Sequence, residues 1–437
     1  MDAVDFTTGF DLPEAGRNMH ALMSRLYPIA RSITGAGIRE TFSILGETLP
    51  LTVHRVATGT PAFDWTVPPE WNLRAAWIEG PDGRRVADAA ATSLAVVGYS
   101  TPVDARMPLA ELLPHLHTLP DHPDWIPYRT SYYRETWGFC LPHRVLESLP
   151  EGEYHVRIDA TLAEGHLDYA ECVVGDADDV VLVSTHACHP ALCNDNLSGV
   201  VVAEALARAL AGRTLRHRYV FVFIPTIIGS LVWLSRNPAI TGRVRHGLVL
   251  ACLGDPGAFT YKRSRRGRAL VDRAAEHVLG ELGGSVEDFV PYGYDERNYC
   301  SPGFNLPVGA LSRTPHGRFP EYHTSADSLE FVRPEQLAGS LDACLRIVEV
   351  LENDRRYVNL NPHGEPRLGK RGLYSVTGGL RPDQRDEYAM FWVLNFSDGA
   401  HSLLDIAERS GIPFRIVARA ASRLAAAGLL APGEAGA

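Results

Sequence analysis

No apolar run in this chain reaches the roughly 18 residues that a membrane span needs. The opening MDAVDFTTGFDLPEAG is acidic and lacks both the basic and the apolar region of a secretory signal, so the expected location is cytoplasmic, with no membrane partner. Repeats of fixed period and low-complexity tracts are also missing, which excludes solenoids and disordered arrays. The seven cysteines are an odd number spread over 437 residues, so reduced thiols are expected rather than a disulfide framework. Positive charge is in deficit, 42 Lys and Arg against 52 Asp and Glu, and the net charge of −10 argues against broad nucleic-acid binding. What remains is an ordinary globular chain of 47.9 kDa, long enough for two or three domains.

Residues 15–50 carry Met19, Leu22, Met23, Leu26 and Ile29 at helical spacing before a turn at Gly35–Gly37. From about 60 to 160 the texture changes to frequent prolines, Trp65, Trp71, Trp77 and Trp125, and short runs such as Leu94–Tyr99, which predicts a β-rich module. Strands are then expected at 154–160, 180–185, 219–224, 247–253 and near 307–311. Helices are expected at 198–211, 229–235, 268–281 and 334–352. Strands that are apolar throughout, alternating with helices, imply an α/β fold with a mostly parallel sheet covered on both faces. Residues 362–381 read as a linker, followed by a helix at 384–396 and a helix-turn-helix over 403–427.

Residues 186–195, HACHPALCND, gather His186, Cys188, His189, Cys193 and Asp195 between an apolar strand and a helix. In sheets of this class ligands bind beyond the carboxyl ends of the strands, where His186 and Asp195 stand. Histidine and carboxylate suit a borderline cation such as zinc. Cys188, His189 and Cys193 compete for the same role, and the short His-x-x-His spacing ranks His189 below His186. Asp255 in LGDPG and His323 in PEYHTSAD stand at further strand ends, so four ligand-type residues fall at successive strand ends.

STHACHPALCNDNLSGVV, CLGDPG, YDERNYCSPGFNLPVG and EYHTSAD together resemble the zinc aminopeptidases with a co-catalytic metal pair, a family that shares its fold with glutaminyl cyclase. LYPIARSITGAG and FDWTVPPEWN resemble a bacterial aminopeptidase-like branch with a β-rich insertion and a C-terminal winged helix. The resemblance implies a catalytic domain from 1–60 and 161–360, an insertion at 61–160 and a winged helix at 365–437. It implies that His186 is the first ligand, Asp195 the bridging carboxylate, Asp255 the next ligand of the first metal and His323 the last ligand of the second.

The resembling family places two consecutive glutamates after the strand at 219–224, one a general base and one a ligand. Here FVFIP is followed by Thr226, Ile227, Ile228 and Gly229. Threonine cannot carry a proton to a leaving amine at neutral pH, and loss of a general base costs about 100- to 10,000-fold in rate. Glu321 and the pair Asp295–Glu296 are the carboxylates available to substitute. Absence of the second glutamate favours one Zn2+ per chain over two.

The resemblance turns the loop of Asp295, Glu296, Arg297 and Tyr299 toward substrate, where a carboxylate can bind an amine and an arginine a carboxylate. Tyr322 beside His323 is a candidate oxyanion donor, and Asp327 a candidate to orient His323. Lys262, Arg263, Arg265, Arg266 and Arg268 read as a solvated loop. Arg415, Arg419 and Arg423 recur every four residues on the last helix, yet residues 365–437 carry nine Lys and Arg against eight Asp and Glu. Packing against the catalytic domain or another subunit is therefore expected of the winged helix ahead of DNA binding. The reading is a cytoplasmic zinc-dependent aminopeptidase-like amide hydrolase. Its substrate is expected to be a small peptide or aminoacylated small molecule from a biosynthetic pathway, and the chain to be a possible homo-oligomer. A metal-binding pseudoenzyme and a glutaminyl-cyclase-like acyl-transfer enzyme are the alternatives.

Overall fold

The computed structural model describes residues 5–6, 10–373 and 385–433, so residues 374–381 of the expected linker lie outside the described residues. The chain divides into two compact units, one of Asp11–Ala269 with Ser285–Leu341, the other of Met1–Phe10, Leu270–Gly284 and Asp342–Ala437.

The larger unit is built on an eight-stranded mixed sheet. Its strands are β1 (Thr52–Ala57), β2 (His166–Val174), β3 (Val180–His186), β4 (Arg218–Ile224), β5 (Val244–Leu250), β6 (Thr260–Lys262), β7 (Ser285–Glu287) and β8 (Val308–Ser312). They lie in the order β1-β2-β4-β3-β5-β8-β6-β7. The four central strands β4, β3, β5 and β8 are mutually parallel, as their largely apolar sequences require; β3 is buried at every residue. Antiparallel pairings join β1 to β2, β2 to β4 and β6 to β8.

From β3 the chain passes through α3 (Gly199–Leu210) to β4 on one side, then through α4 (Ile228–Arg236) to β5 on the other. The strand order therefore reverses at β3, and the crevice where such sheets bind ligands opens at its carboxyl end. Two further helices, α1 (Leu12–Leu26) and α2 (Ala36–Leu45), precede β1. Helix α3 packs on the sheet with α1 against it. A side chain at Gly199 would sit 2.4 Å from the Leu250 carbonyl oxygen, so glycine is what lets α3 begin against the end of β5.

Between β1 and β2 a separate antiparallel sheet forms from Arg85–Asp88, Glu70–Glu79, Glu153–Ala163 and Val103–Pro108. Trp71 anchors it: its ring stacks on Tyr99 and its Nε1 donates to the Ser100 carbonyl at 2.9 Å.

The smaller unit holds α5 (Leu270–Leu282), the end of α6 (Pro334–Asn353), and a winged helix of α7 (Arg385–Phe396), α8 (Leu403–Ser410) and α9 (Phe414–Ala426). Three short strands, Asp398–Ser402, Arg356–Asn359 and Leu430–Pro432, complete it. Ser402 and Asp405 form a reciprocal capping box at the start of α8, and Gly411, at φ 67°, ends it in the left-handed conformation. The module docks on α5 through polar contacts: Arg273 binds Asp405 and Glu408 at 2.6 and 2.7 Å, and the Phe414 amide donates to His277 at 3.1 Å. In the arginine stripe of α9, Arg419 is paired with Asp386.

Arg273 is four-fifths buried between its two carboxylates. Arg273→Ala should lower unfolding free energy by about 1 kcal/mol, a loss that shrinks at high salt as screening weakens the wild-type pairing. Urea midpoints measured at two ionic strengths check this; equal midpoints for variant and wild type would mean the docking rests on apolar contacts alone.

Candidate metal centre

Strand β3 ends in His186, and the loop after it folds back so that Asp195 returns beneath it. The backbone departs from helical geometry at Asp195 and Asn196, within the turn Cys193–Ser198, which lets the carboxylate point at the strand end instead of along the helix. Asp327 accepts the amide N–H of Asn194 and, at 2.8 Å, that of Asp195. It thus holds the Asp195 loop, not the His323 ring that sequence proximity suggested. Asn196 fixes the other side, reaching Nδ1 of His186 at 3.2 Å and the Thr185 hydroxyl at 2.9 Å.

Three histidines converge on Asp195. Nε2 of His186 lies 3.0 Å from its Oδ1, Nε2 of His323 lies 2.9 Å from its Oδ2, and Nδ1 of His189 lies 3.2 Å from that same Oδ2. Asp195 and His186 are buried, His189 is nearly so, and the His323 side chain is one-third exposed, so the cluster meets solvent on the His323 side. Burial alone would push the Asp195 carboxyl up, yet the facing His189 and the hydrogen bonds from all three rings hold it well below the usual carboxylate range. Burial drives His186 toward its neutral form, whereas the Asp195 charge outweighs burial at His189 and raises it.

The module at 61–160 supplies the outer wall. Residues 126–128 run alongside 323–325: the Tyr128 amide donates to the His323 carbonyl at 2.8 Å and the Ser325 amide to the Ile126 carbonyl at 2.8 Å. These bonds hold His323 at φ 57°, a left-handed conformation that a non-glycine residue adopts only when its surroundings impose it. The Tyr128 ring packs on both His189 and His323, 5.2 and 5.0 Å between centroids, and Tyr322 stacks on His323 at 3.9 Å. Tyr294 stacks on His186, and its hydroxyl contacts the Cys252 thiol at 3.0 Å.

The remaining expected residues fall in different places. Asp255 is not among the converging donors, because both of its oxygens are occupied by the Thr314 hydroxyl and amide, the Gly257 amide and the Asn194 side chain. Glu296 is buried in an ion pair with the largely covered Lys262, so the expected solvated basic run begins with a paired lysine. Thr226 borders the buried Asp295, whose Oδ1 accepts the Ser230 hydroxyl at 2.7 Å. Burial and the neighbouring Glu296 raise Asp295 to about 7 against the opposing Ser230 and Thr226 hydroxyls. Arg297 lies over the Tyr292 ring. Tyr299 is fully buried, bonded to Ser184 at 2.9 Å and packed on Trp233, which makes it a core residue. Glu321 is half-buried two positions before His323. Cys188 and Cys193 are buried and burial pushes their thiols up, Cys188 to about 12, so neither is an activated nucleophile, and neither belongs to the cluster of His186, His189 and Asp195.

The ligand atoms of His186, His189 and Asp195 lie within 4.8 Å of one another, and His323 closes the set. Imidazole nitrogens and a carboxylate without thiolate are donors that zinc accepts, so these residues fit such an ion.

A strand-order reversal at β3, a histidine–aspartate cluster at its carboxyl end and a C-terminal winged helix define an α/β domain of the fold that zinc aminopeptidases share, followed by a winged-helix module. Residues 20–354 match a family described as a domain of unknown function (DUF4910), and the chain belongs to that family. Residues 355–432 match a winged helix-turn-helix. A Clostridium acetobutylicum protein named "Putative polysaccharide biosynthesis protein with aminopeptidase-like domain" is 46% identical over 94% of this chain and 95% of its own. The crystal structure of a protein titled "putative peptidase" from the same organism superposes with a TM-score of 0.92 at 45% identity, covering 97% of both chains. A zinc aminopeptidase from Bacillus subtilis shares the fold at a TM-score of 0.55 and 14% identity, over 76% of this chain and 94% of its own.

If the cluster is the metal centre, His186→Ala, His189→Ala and Asp195→Asn should each weaken zinc binding by at least about 100-fold, because a site of four donors tolerates no loss. Asp255→Asn should leave it within a few-fold. Zinc titrations against a competing chelator distinguish the two groups, and strong loss in Asp255→Asn alone would move the site.

Proposed function

We propose that this chain is a zinc-dependent, aminopeptidase-like amide hydrolase, acting on a small peptide or an aminoacylated small molecule. The convergence of His186, His189 and His323 on Asp195 at the strand-order reversal is the observation that supports it most. The relative named for polysaccharide biosynthesis makes an aminoacylated or peptidyl sugar precursor a reasonable substrate class.

Bound zinc would polarise a carbonyl and lower the pKa of a water. His186, His189, His323 and Asp195 would hold it. Tyr322, stacked on His323, and the Tyr128 ring, packed on two of the histidines, narrow the approach and exclude water around a bound amide. Proton transfer is assigned to Asp295. It stands beside Thr226, the position where the resembling family has its general base, and burial poises it near neutrality. Glu296 serves less well because Lys262 holds it as a paired carboxylate.

The second reading, a metal-binding protein without turnover, is favoured by Thr226 alone. Assays of the zinc-loaded protein on aminoacyl amides and dipeptides separate the two. A carboxyl raised in the folded state is protonated below its pKa and becomes a base above it, so kcat/KM should rise as pH increases through about 7. Asp295→Asn should remove that rise and lower the rate on the order of 100-fold or more, while Thr226→Glu in the same background should recover turnover. A pH profile unchanged by Asp295→Asn would assign the proton to another group, Glu321 first. Zinc content without hydrolysis of any substrate would leave the non-catalytic reading.

A further inference from the structure

Arg31 lies in the segment LYPIARSITGAG between α1 and α2, and its side chain is 2% exposed. Among the described residues its guanidinium meets no carboxylate at hydrogen-bonding distance. Nε donates to the His189 carbonyl at 2.9 Å, Nη1 donates to the Leu26 carbonyl, and Nη2 has no partner among the described residues. Burial lowers its pKa to about 10, which still leaves it a cation at neutral pH. A buried cation without an anion is unfavourable, and buried polar atoms are almost always satisfied.

Arg31 also lines a narrow cleft together with Ser93, Trp71, Gly98, Tyr128 and Pro190. The Ser93 hydroxyl on that wall is likewise shut from solvent and without a partner among the described residues. Two donors of a kind that bind oxyanions, the guanidinium Nη2 and a hydroxyl, thus share one cleft with no acceptor among the described residues. Tyr128 and Pro190 tie the cleft to the metal cluster: the Tyr128 ring packs on His189 and His323, and Pro190 directly follows His189.

We infer that this cleft is an oxyanion subsite, in which Arg31 Nη2 and Ser93 Oγ donate to a carboxylate or phosphate carried by the substrate. The substrate class becomes an amide or peptide that bears a negative group a short distance from the bond at the histidines. This deepens the hydrolase reading and rests on it for the word substrate; anion binding itself is measured without turnover.

The test uses the full-length, zinc-loaded protein and calorimetric titration with three probes: inorganic phosphate, glycylglycine, and glycylglycine amide, which lacks the carboxylate. Phosphate or glycylglycine should bind, with glycylglycine amide at least about 10-fold weaker than glycylglycine, the worth of a charge-assisted hydrogen bond. A preference for glycylglycine marks a substrate carboxylate, and for phosphate a substrate phosphate. Ser93→Asp places an internal carboxylate against Arg31 and should weaken the preferred anion at least about 10-fold with zinc content unchanged. Ser93→Ala, which removes one donor and leaves Arg31 in place, should weaken it less. Anion binding that survives Ser93→Asp at full strength, or no binding of either anion to the wild type at millimolar concentration, overturns the subsite. Anion binding lost in Ser93→Asp, in a protein that hydrolyses nothing, would keep the subsite and remove the hydrolase.

Discussion

A carboxylate with no solvent contact is tolerated only when opposite charge or hydrogen-bond donors surround it. Asp195 is such a group, and the neighbourhood of the site is organised around it. Three imidazoles face its two oxygens, Asp327 pins its backbone, and Asn196 locks the ring of its first partner. His186 ends β3, His189 lies in the loop that carries Asp195, and the third is held in a left-handed conformation by a segment from the 61–160 module. Removing the carboxylate would leave three imidazoles facing one another without the charge that draws them together.

The sheet explains why this cluster sits where it does. The crossover through α3 leaves β3 for β4 on one side and the next, through α4, carries the chain from β4 to β5 on the other, so the order reverses at β3 and a crevice opens beyond its carboxyl end. Gly199 lets α3 start hard against the end of β5, which keeps the Cys193–Ser198 turn deep in that crevice. The module at 61–160 then narrows the opening with Tyr128 and contributes Ser93, Trp71 and Gly98 to the adjacent cleft around Arg31.

The central strands were legible because β3, β4, β5 and β8 each carry a largely apolar run. The flanking strands were not. β2 carries Asp168 and Glu171, which look like surface residues until their partners Arg39, Arg55, His54 and Trp233 arrive from distant segments. β6 lies in a basic run whose first residue, Lys262, is largely covered and paired with Glu296. At the site, strand-end position pointed to His186, Asp195 and His323. The same rule pointed to Asp255, and only the fold brings in the Thr314 and Asn194 groups that occupy it. His189 was ranked low because spacing along the chain does not show a turn that doubles back. Arg31 was visible only as part of a resembling segment, and Tyr128 comes from a module read simply as β-rich. Nothing local reveals that either reaches the histidines.

The central claim is that Asp195 and its histidines form a cation site. Anomalous diffraction at the zinc edge from zinc-loaded crystals tests it most directly. The account predicts one dominant peak, about 2.0–2.2 Å from a carboxylate oxygen of Asp195 and from imidazole nitrogens of the surrounding histidines. A dominant peak bound to Asp255, or no peak within ligand distance of Asp195, would contradict it.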